Sequence, residues 1–425
     1  MLDLKTIRNN PDIVKKALKD RSLSLDIDSL LALDEKRREA ITEVEQLKAT
    51  KNKTTDEIAQ LKLNKEDANA QIESTKLLSQ KIGEIDKKVV EYDTIIAEIV
   101  LNIPNIPDSS VPVGTPEKNE IVRAWGKPKN FNFKPRNHIE LAEAHRLVDF
   151  ERAAKIAGSN FVSYRGKGAL LERALINFML DLHVKKHGYT EIFPPFLVNR
   201  KSMTGTGQLP KLEEDMYRLK DDDFFLIPTA EVPVTNLHAQ EVLEEDDLPI
   251  YYTAYTACFR REAGSYGKDT RGLIRVHQFD KVEMVKFVKP EASYDELETL
   301  LGNAEEVLQL LGLPYRILKL ATGDLSFAAS KCYDIEVWAP GSEKWLEVSS
   351  CSNFENFQAR RANIRFKSKA TGKTELVHTL NGSGVALART VIAILENYQN
   401  QDGSIAIPDV LVKYMDGLKV IEEET

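Results

Sequence analysis

Cysteine is scarce in this chain: Cys258, Cys332 and Cys351 are the three among 425 residues. They are odd in number, far apart, and form no CxxC pair. That excludes a disulfide framework and fits a reducing cytoplasm. No run of about 18 apolar residues occurs, so no membrane span is expected. The opening stretch MLDLKTIRNNP has neither a long apolar core nor an Arg/Ser-rich amphipathic run, so no targeting peptide is expected. A basic excess is missing too, since the net charge is −8. Proteins that hold nucleic acid by bulk charge are basic, so any such contact here has to be local. The seven histidines show no HExxH or paired metal spacing. Two phosphate motifs also fail. Gly372, Lys373 and Thr374 look like the end of a P-loop, but Lys367 stands where its first glycine belongs. Gly382 and Gly384 lack the third glycine of a dinucleotide fingerprint, because Leu387 is there.

Glycine and proline are absent between Pro11 and Gly83. Within that span Leu30, Leu33, Ala40, Val44, Leu47, Ile58 and Leu61 recur at spacings compatible with a helical stripe. A second run, Leu78, Ile82, Ile85, Val89, Tyr92, Ile96 and Ile99, alternates steps of four and three and forms a heptad seam. The break near residues 64–67 is polar, so the two helices should fold back as an antiparallel coiled-coil hairpin of roughly 50 Å. Its outer part carries Lys48, Lys51, Lys53, Lys62 and Lys65 against few acids. Three readings stay open: a solvated face, a dimerising coiled coil, or a surface for phosphates. Pro104, Pro107, Pro112 and Pro116 then end the helix. The expected division is a helical arm over 1–103, a proline-rich linker over 104–116 and a second domain over 117–425.

In that second domain the pattern turns to strands with helices between them. Helices are expected over 138–157, 168–187, 292–311 and 384–400. Strands are expected over 224–228, 251–261, 273–288, 315–322, 332–338 and 345–350. The last three follow one another without a helix, which argues for an antiparallel sheet flanked by helices, an α+β fold.

Positive charge gathers in FRREAGSYGKDTRGLIRVHQF, residues 259–279: Arg260, Arg261, Lys268, Arg271 and Arg275, among Gly264, Gly267 and Gly272. An anion is the natural partner. The strand that follows alternates. Ile274, Val276, Val282 and Met284 share a core-like face, while Arg275, His277, Phe279, Lys281 and Glu283 share the other. Either that charged face lines a cavity for an elongated ligand, or the strand is half exposed with a polar outer side. His277 reads as structural. Glu347 and Ser350 differ in strand parity, so a shared role requires a bulge or a strand end. TLNGSGVALART reads as a glycine-rich turn entering a helix, with Arg389 about two turns inside it. That turn is either an anion site or an ordinary helix start.

Taken in order, TAE (229–231), FRREAG…RVHQFDKVE, LEVSSCSN (346–353) and NGSG…R resemble the bacterial-type seryl-tRNA synthetases, a family of class II aminoacyl-tRNA synthetases. The resemblance spans nearly the whole chain. It implies a class II antiparallel sheet carrying three motifs: YTEIFPPF with the helix before it, which forms the homodimer interface in the family, then 255–283, then 382–396. It implies activation of L-serine by ATP, with Mg²⁺, followed by transfer to tRNA(Ser), with tRNA(Sec) a further candidate and no DNA partner. By the same resemblance Arg260, Arg389 and Glu347 are the catalytic residues. Thr229, Ala230, Glu231, Arg260, Glu283, Asn381 and Ser383 are expected at serine. Arg260, Arg261, Glu262, Arg275, Val276, Phe279, Glu347, Val348, Ser349, Ser350 and Arg389 are expected at ATP, with the Arg261 side chain turned away. Glu347 and Ser350 are expected at the metal, and Lys48, Lys51 and Lys53 at tRNA. Ala388 departs from the family pattern, which often has glycine before the arginine. Two competing readings are a ligase that loads an amino acid on a carrier protein, and an RNA-binding paralogue with a dead synthetase domain. The long hairpin argues against the first, and the presence of Arg260, Glu347 and Arg389 against the second.

Overall fold

The computed structural model describes residues 1–263 and 271–423. Gly264, Gly267 and Lys268 of the cationic loop thus lie outside the described residues. The chain forms two compact units, one over residues 2–104 and the other over Met1 together with residue 105 onward. In the first, short helices Leu4–Asn9 and Pro11–Asp20 precede two long ones, Ile27–Leu63 and Asn69–Leu101. Their 37 and 33 residues make them about 55 and 50 Å long. The Asp26 side chain caps the first by accepting from the Ser29 N–H at 3.0 Å. Val44, Ile82 and Ile85 pack between the helices with Ala40 and Leu47 at their margin. Exposed ion pairs cross the same seam, among them Lys48–Asp86 at 3.4 Å and Lys81–Glu43 at 2.8 Å. Such pairs contribute little stability, so the thin apolar seam holds the hairpin.

The second unit is built on an eight-stranded sheet. Its strands are β1 (Glu120–Trp125), β2 (Thr190–Glu191), β3 (Ile250–Phe259), β4 (Gln278–Val288), β5 (Tyr315–Lys319), β6 (Lys331–Ala339), β7 (Lys344–Asn353) and β8 (His378–Ala386). Their spatial order is β1-β5-β6-β7-β8-β4-β3-β2. All neighbours run antiparallel except β2 on β3. Helices Lys167–Lys185, Ser293–Leu310 and Leu387–Asn397 contribute with the sheet to one large apolar core. Val282, Met284 and Val288 of β4 belong to that core. Val285 and Phe287, of opposite parity, join a smaller cluster with Ala230, Ala254 and Ile364. Ahead of the sheet, Asn105 Nδ2 donates to the carbonyls of Ala328 and Phe354 at 3.0 and 2.9 Å.

Several elements differ from the sequence expectations. The expected helix over 138–157 is two, His138–Ala144 and Phe150–Ala157. Arg146 between them has φ +49°, which ends the first helix, and Asp149 caps the second by accepting from the Arg152 N–H. Strand β4 begins at Gln278, not at 273. The largest departure is NGSG. It is no turn at a helix start; it lies inside β8, and the helix begins at Leu387. A Cβ on Gly382 would stand 2.7 Å from Cys351 Sγ, and one on Gly384 would stand 2.1 Å from His183 Nε2. Glycine is there for close approach. Arg389 consequently sits in the first turn of its helix instead of two turns inside.

Candidate active site

A cavity of about 580 Å³ opens over the sheet, lined by β4, β7, β8 and the segment that follows β3. Its floor comes from β4, where the alternation holds: Phe279, Lys281 and Glu283 face the cavity while Val282 and Met284 face the core. The alternation does not extend back to residues 274–276. That stretch is not strand, and Ile274 and Val276 line the cavity together with Arg275. His277 points elsewhere, stacking on Phe161 with its Nδ1 2.8 Å from the Arg260 carbonyl.

One end of the cavity is cationic. Arg260 lays its guanidinium over the Phe279 ring, 5.3 Å from the centroid, and its Nε donates to the Pro228 carbonyl at 3.3 Å. A flat cation stacked in this way is held in place yet keeps donors free. Glu262, at φ +52°, is ion-paired with Arg275. Arg389 donates from Nη1 to the Glu347 carbonyl at 2.6 Å and from Nε to the Ile274 carbonyl at 3.2 Å. Its guanidinium also lies 3.5 Å from the Glu347 carboxylate. Strand β7 carries the bulge that parity demanded: its register shifts between Glu347 and Ser349. Glu347 and Ser350 therefore both line the cavity despite their odd spacing. Their carboxylate and hydroxyl oxygens suit a hard cation that completes its shell with water and phosphate oxygens. Among the described residues no group of three or more His, Cys, Asp or Glu side chains is arranged to hold a metal by itself.

The other end is a small, buried polar pocket. Ser383 of β8 pairs directly with Glu283 of β4, and Asn381 lies two residues along the same strand. Glu231 begins a short helix, Glu231–Thr235, and is buried. Gln358 Nε2 and Gln208 Nε2 donate to its two carboxylate oxygens. Burial and, secondarily, the neighbouring Glu283 push the Glu231 carboxyl up to about 7, against the pull of Gln358, Lys281 and Asn381. Lys281, buried, is ion-paired with Glu283 and donates to Thr229 Oγ1 at 2.9 Å.

Of the residues expected at the two ligands, three are outside this lining. Ala230 is fully buried in the smaller apolar cluster. Ser349 points away because the bulge turns it to the other side; it is buried and its Oγ donates to the Ser383 carbonyl at 2.7 Å. Arg261 is exposed, with its backbone N–H on the Asp215 carbonyl at 2.9 Å. The remaining expected residues, Thr229, Glu231, Arg260, Glu262, Arg275, Val276, Phe279, Glu283, Glu347, Val348, Ser350, Asn381, Ser383 and Arg389, all line one cavity. Gln208 and Gln358 had no local signal in the sequence. Lys281 did: the alternation placed it on the ligand face, but it received no role.

A fold of this kind has known counterparts. Residues 214–398 match the model of the tRNA synthetase class II core domain (G, H, P, S and T), and residues 1–107 match that of the seryl-tRNA synthetase N-terminal domain. The chain is thus a class II aminoacyl-tRNA synthetase. It is 56% identical over 425 residues to a serine--tRNA ligase of Thermodesulfovibrio yellowstonii, covering 99% of this chain and all of that one. A Carboxydothermus hydrogenoformans serine--tRNA ligase is 56% identical over 416 residues, 98% of each chain. Among solved structures, the Pyrococcus horikoshii seryl-tRNA synthetase complexed with ATP superposes with a TM-score of 0.94 at 39% identity, covering both chains fully. The chain belongs to the seryl-tRNA synthetase family.

Proposed function

We propose that the cavity activates L-serine with ATP, releasing pyrophosphate, and that the chain then transfers serine from the adenylate to the 3′ end of tRNA(Ser). One observation carries the assignment to this cavity: a cationic end and a buried, doubly acidic end open into the same space. The first suits a triphosphate and the second an amino acid's ammonium. In-line attack of the serine carboxylate on the α-phosphorus needs positioning and charge neutralisation more than a protein nucleophile. Arg260, whose Nε reaches from the cationic end to the Pro228 carbonyl beside Thr229, bridges the α-phosphate and the carboxylate, a task that suits a planar guanidinium. Phe279 stacks on adenine, with the Val276 and Val348 backbones at its edges. Arg275 and Arg389 hold the outer phosphates; each leaves a carboxylate partner, Glu262 or Glu347, to do so. The freed Glu262 carboxylate is then available to the adenine amino group. Glu347 and Ser350 would hold Mg²⁺, which when bound neutralises phosphate charge. Glu231 and Glu283 receive the ammonium. Asn381 and Ser383 meet the hydroxyl, so that alanine leaves buried polar groups unpaired.

The helical arm, residues 1–103 ahead of the 104–116 linker and the catalytic domain over 117–425, grips tRNA through its backbone and shape. Lys48, Lys51 and Lys53 serve there as phosphate contacts. Two copies assemble through the 167–185 helix and the stretch around Phe193, which is 76% exposed in the single chain. The setting is cytoplasmic, and no described helix is long and apolar enough to cross a membrane. Amino-acid-dependent ATP–pyrophosphate exchange, run without tRNA on serine, threonine, alanine, glycine and cysteine, tests the site. Exchange with serine alone is expected. Exchange with a different amino acid overturns the assignment of the acidic pocket, and exchange with none overturns the reaction.

A further inference from the structure

Glu396 lies near the end of the Leu387–Asn397 helix and is fully buried. Four donors converge on its carboxylate. Oε1 accepts from the His138 N–H at 2.9 Å, from His138 Nδ1 at 3.1 Å and from Ser342 Oγ at 2.6 Å. Oε2 accepts from the Ser342 N–H at 2.9 Å. A carboxylate accepts and does not donate, so the ring proton of His138 belongs on Nδ1. Nε2 is left with its lone pair. It accepts from the Leu273 N–H at 3.3 Å, and His138 and Leu273 are both buried. Gly272, at φ +65°, permits this approach, because a Cβ there would stand 2.4 Å from the same Nε2.

Leu273 opens a stretch that faces the nucleotide end of the cavity. Residues 273–276 line that cavity and are not strand, so no ladder of backbone bonds holds them. Among the described residues two hydrogen bonds fix their backbone. The Leu273 N–H is on His138, and the Ile274 carbonyl accepts from Arg389 Nε at 3.2 Å. Arg389 and Glu396 are seven residues apart, two turns along one face of the same helix, or roughly 10 Å. One holds Ile274 directly, and the other holds Leu273 through His138. Arg389 has a second task at the outer phosphates. His138 and Glu396 do not line the cavity.

We infer, on the reading of this cavity as an ATP site, that His138 is a positioning residue for the nucleotide: its Nε2, kept free of a proton by Glu396, fixes residues 273–276 so that Arg275 and the Val276 backbone are in place before ATP arrives. The Leu273 and Val276 side chains are also held by the large apolar core. Apolar burial is non-directional, however, while a hydrogen bond sets the orientation of the peptide that makes it. Without the acceptor a buried N–H goes unpaired, and ordering the stretch becomes a cost of binding ATP.

The native chain gives the first readout. Nitrogen NMR on isotope-labelled histidine should show a proton on His138 Nδ1 and none on Nε2; a proton on Nε2 would overturn the inference. Two substitutions then separate the ring nitrogens. His138→Asn keeps a donor where Nδ1 stands and loses the acceptor. His138→Gln carries a carbonyl oxygen to the place of Nε2 and keeps the acceptor. ATP–pyrophosphate exchange by the full chain is run with ATP and serine varied separately. His138→Asn should raise the KM for ATP about tenfold and leave the KM for serine unchanged. His138→Gln should return the KM for ATP toward the native value. Hydrogen exchange over residues 271–277, read by mass spectrometry without ATP, should quicken in His138→Asn and not in His138→Gln. Equal behaviour of the two variants, or KM values for both substrates raised together, would make His138 an anchor for its own helix and overturn the inference. If thermal melting shows that His138→Asn does not fold, the ring tautomer and His138→Gln decide: a native KM for ATP supports the inference and a raised one overturns it. If the native chain shows no serine-dependent exchange, it is the proposed function that has failed, and the tautomer and hydrogen exchange still report on His138.

Discussion

At the scale of single residues, the cavity divides its cations by what they leave behind. Arg275 and Arg389 each hold a carboxylate partner, Glu262 and Glu347 respectively. Arg260 instead rests on an aromatic ring and a backbone carbonyl. Among the described residues no acid is ion-paired with it, so it is the group best prepared to meet charge that develops during reaction. Arg260→Ala should lower kcat for exchange about 100- to 1,000-fold, with a smaller change in the KM for ATP. Steady-state exchange kinetics check this; a variant that loses only ATP affinity would assign Arg260 to ground-state binding. Arg260 was legible because FRRE names it and the strand behind it alternates. Gln208 and Gln358 were not, because a lone glutamine gives no signal until the fold brings it to Glu231.

At the scale of elements, the sequence and the structure part over β8. Two glycines around a serine look like a turn, since glycine is the usual way to bend a chain. Here they let β8 lie against Cys351 and His183, a reason that lives in residues more than 30 positions away in each case. The prediction is steric. Gly384→Ala places a methyl group 2.1 Å from His183 Nε2 and should destabilise the domain by about 1–3 kcal/mol, read by denaturant or thermal unfolding. A melting curve identical to the parent's would contradict this account of the strand. The β7 bulge shows the opposite case: the parity of Glu347 and Ser350 demanded an irregularity, and the register shift supplies it. The hairpin was legible for a simpler reason. Helix periodicity is local, and the seam residues Val44, Ile82 and Ile85 are buried where the heptads put them. On that hairpin Lys48 pairs, among the described residues, with a half-exposed Asp86. Replacing Lys48, Lys51 and Lys53 with alanine should leave the fold and serine-dependent exchange intact. It should weaken tRNA binding and flatten its dependence on salt. Filter binding across a salt series measures the slope, and an unchanged slope would remove these lysines from the tRNA surface.

At the scale of the whole molecule, a net charge of −8 goes with a protein whose proposed substrates, ATP and tRNA, are both polyanions. Local cation placement resolves that: arginines converge at one end of a cavity, and lysines lie along the outer hairpin. Composition excluded bulk-charge binding but named no ligand, and the order of the motifs supplied the name. The central claim is that one chain joins serine to tRNA in two steps, which the carrier-protein and binding-only alternatives do not do. The most direct measurement is single-turnover charging of purified tRNA(Ser) with labelled serine, Mg²⁺ and ATP by the full chain. The account predicts a serine ester on the tRNA 3′ end, formed after adenylate. Adenylate that accumulates without transfer to any tRNA would contradict it.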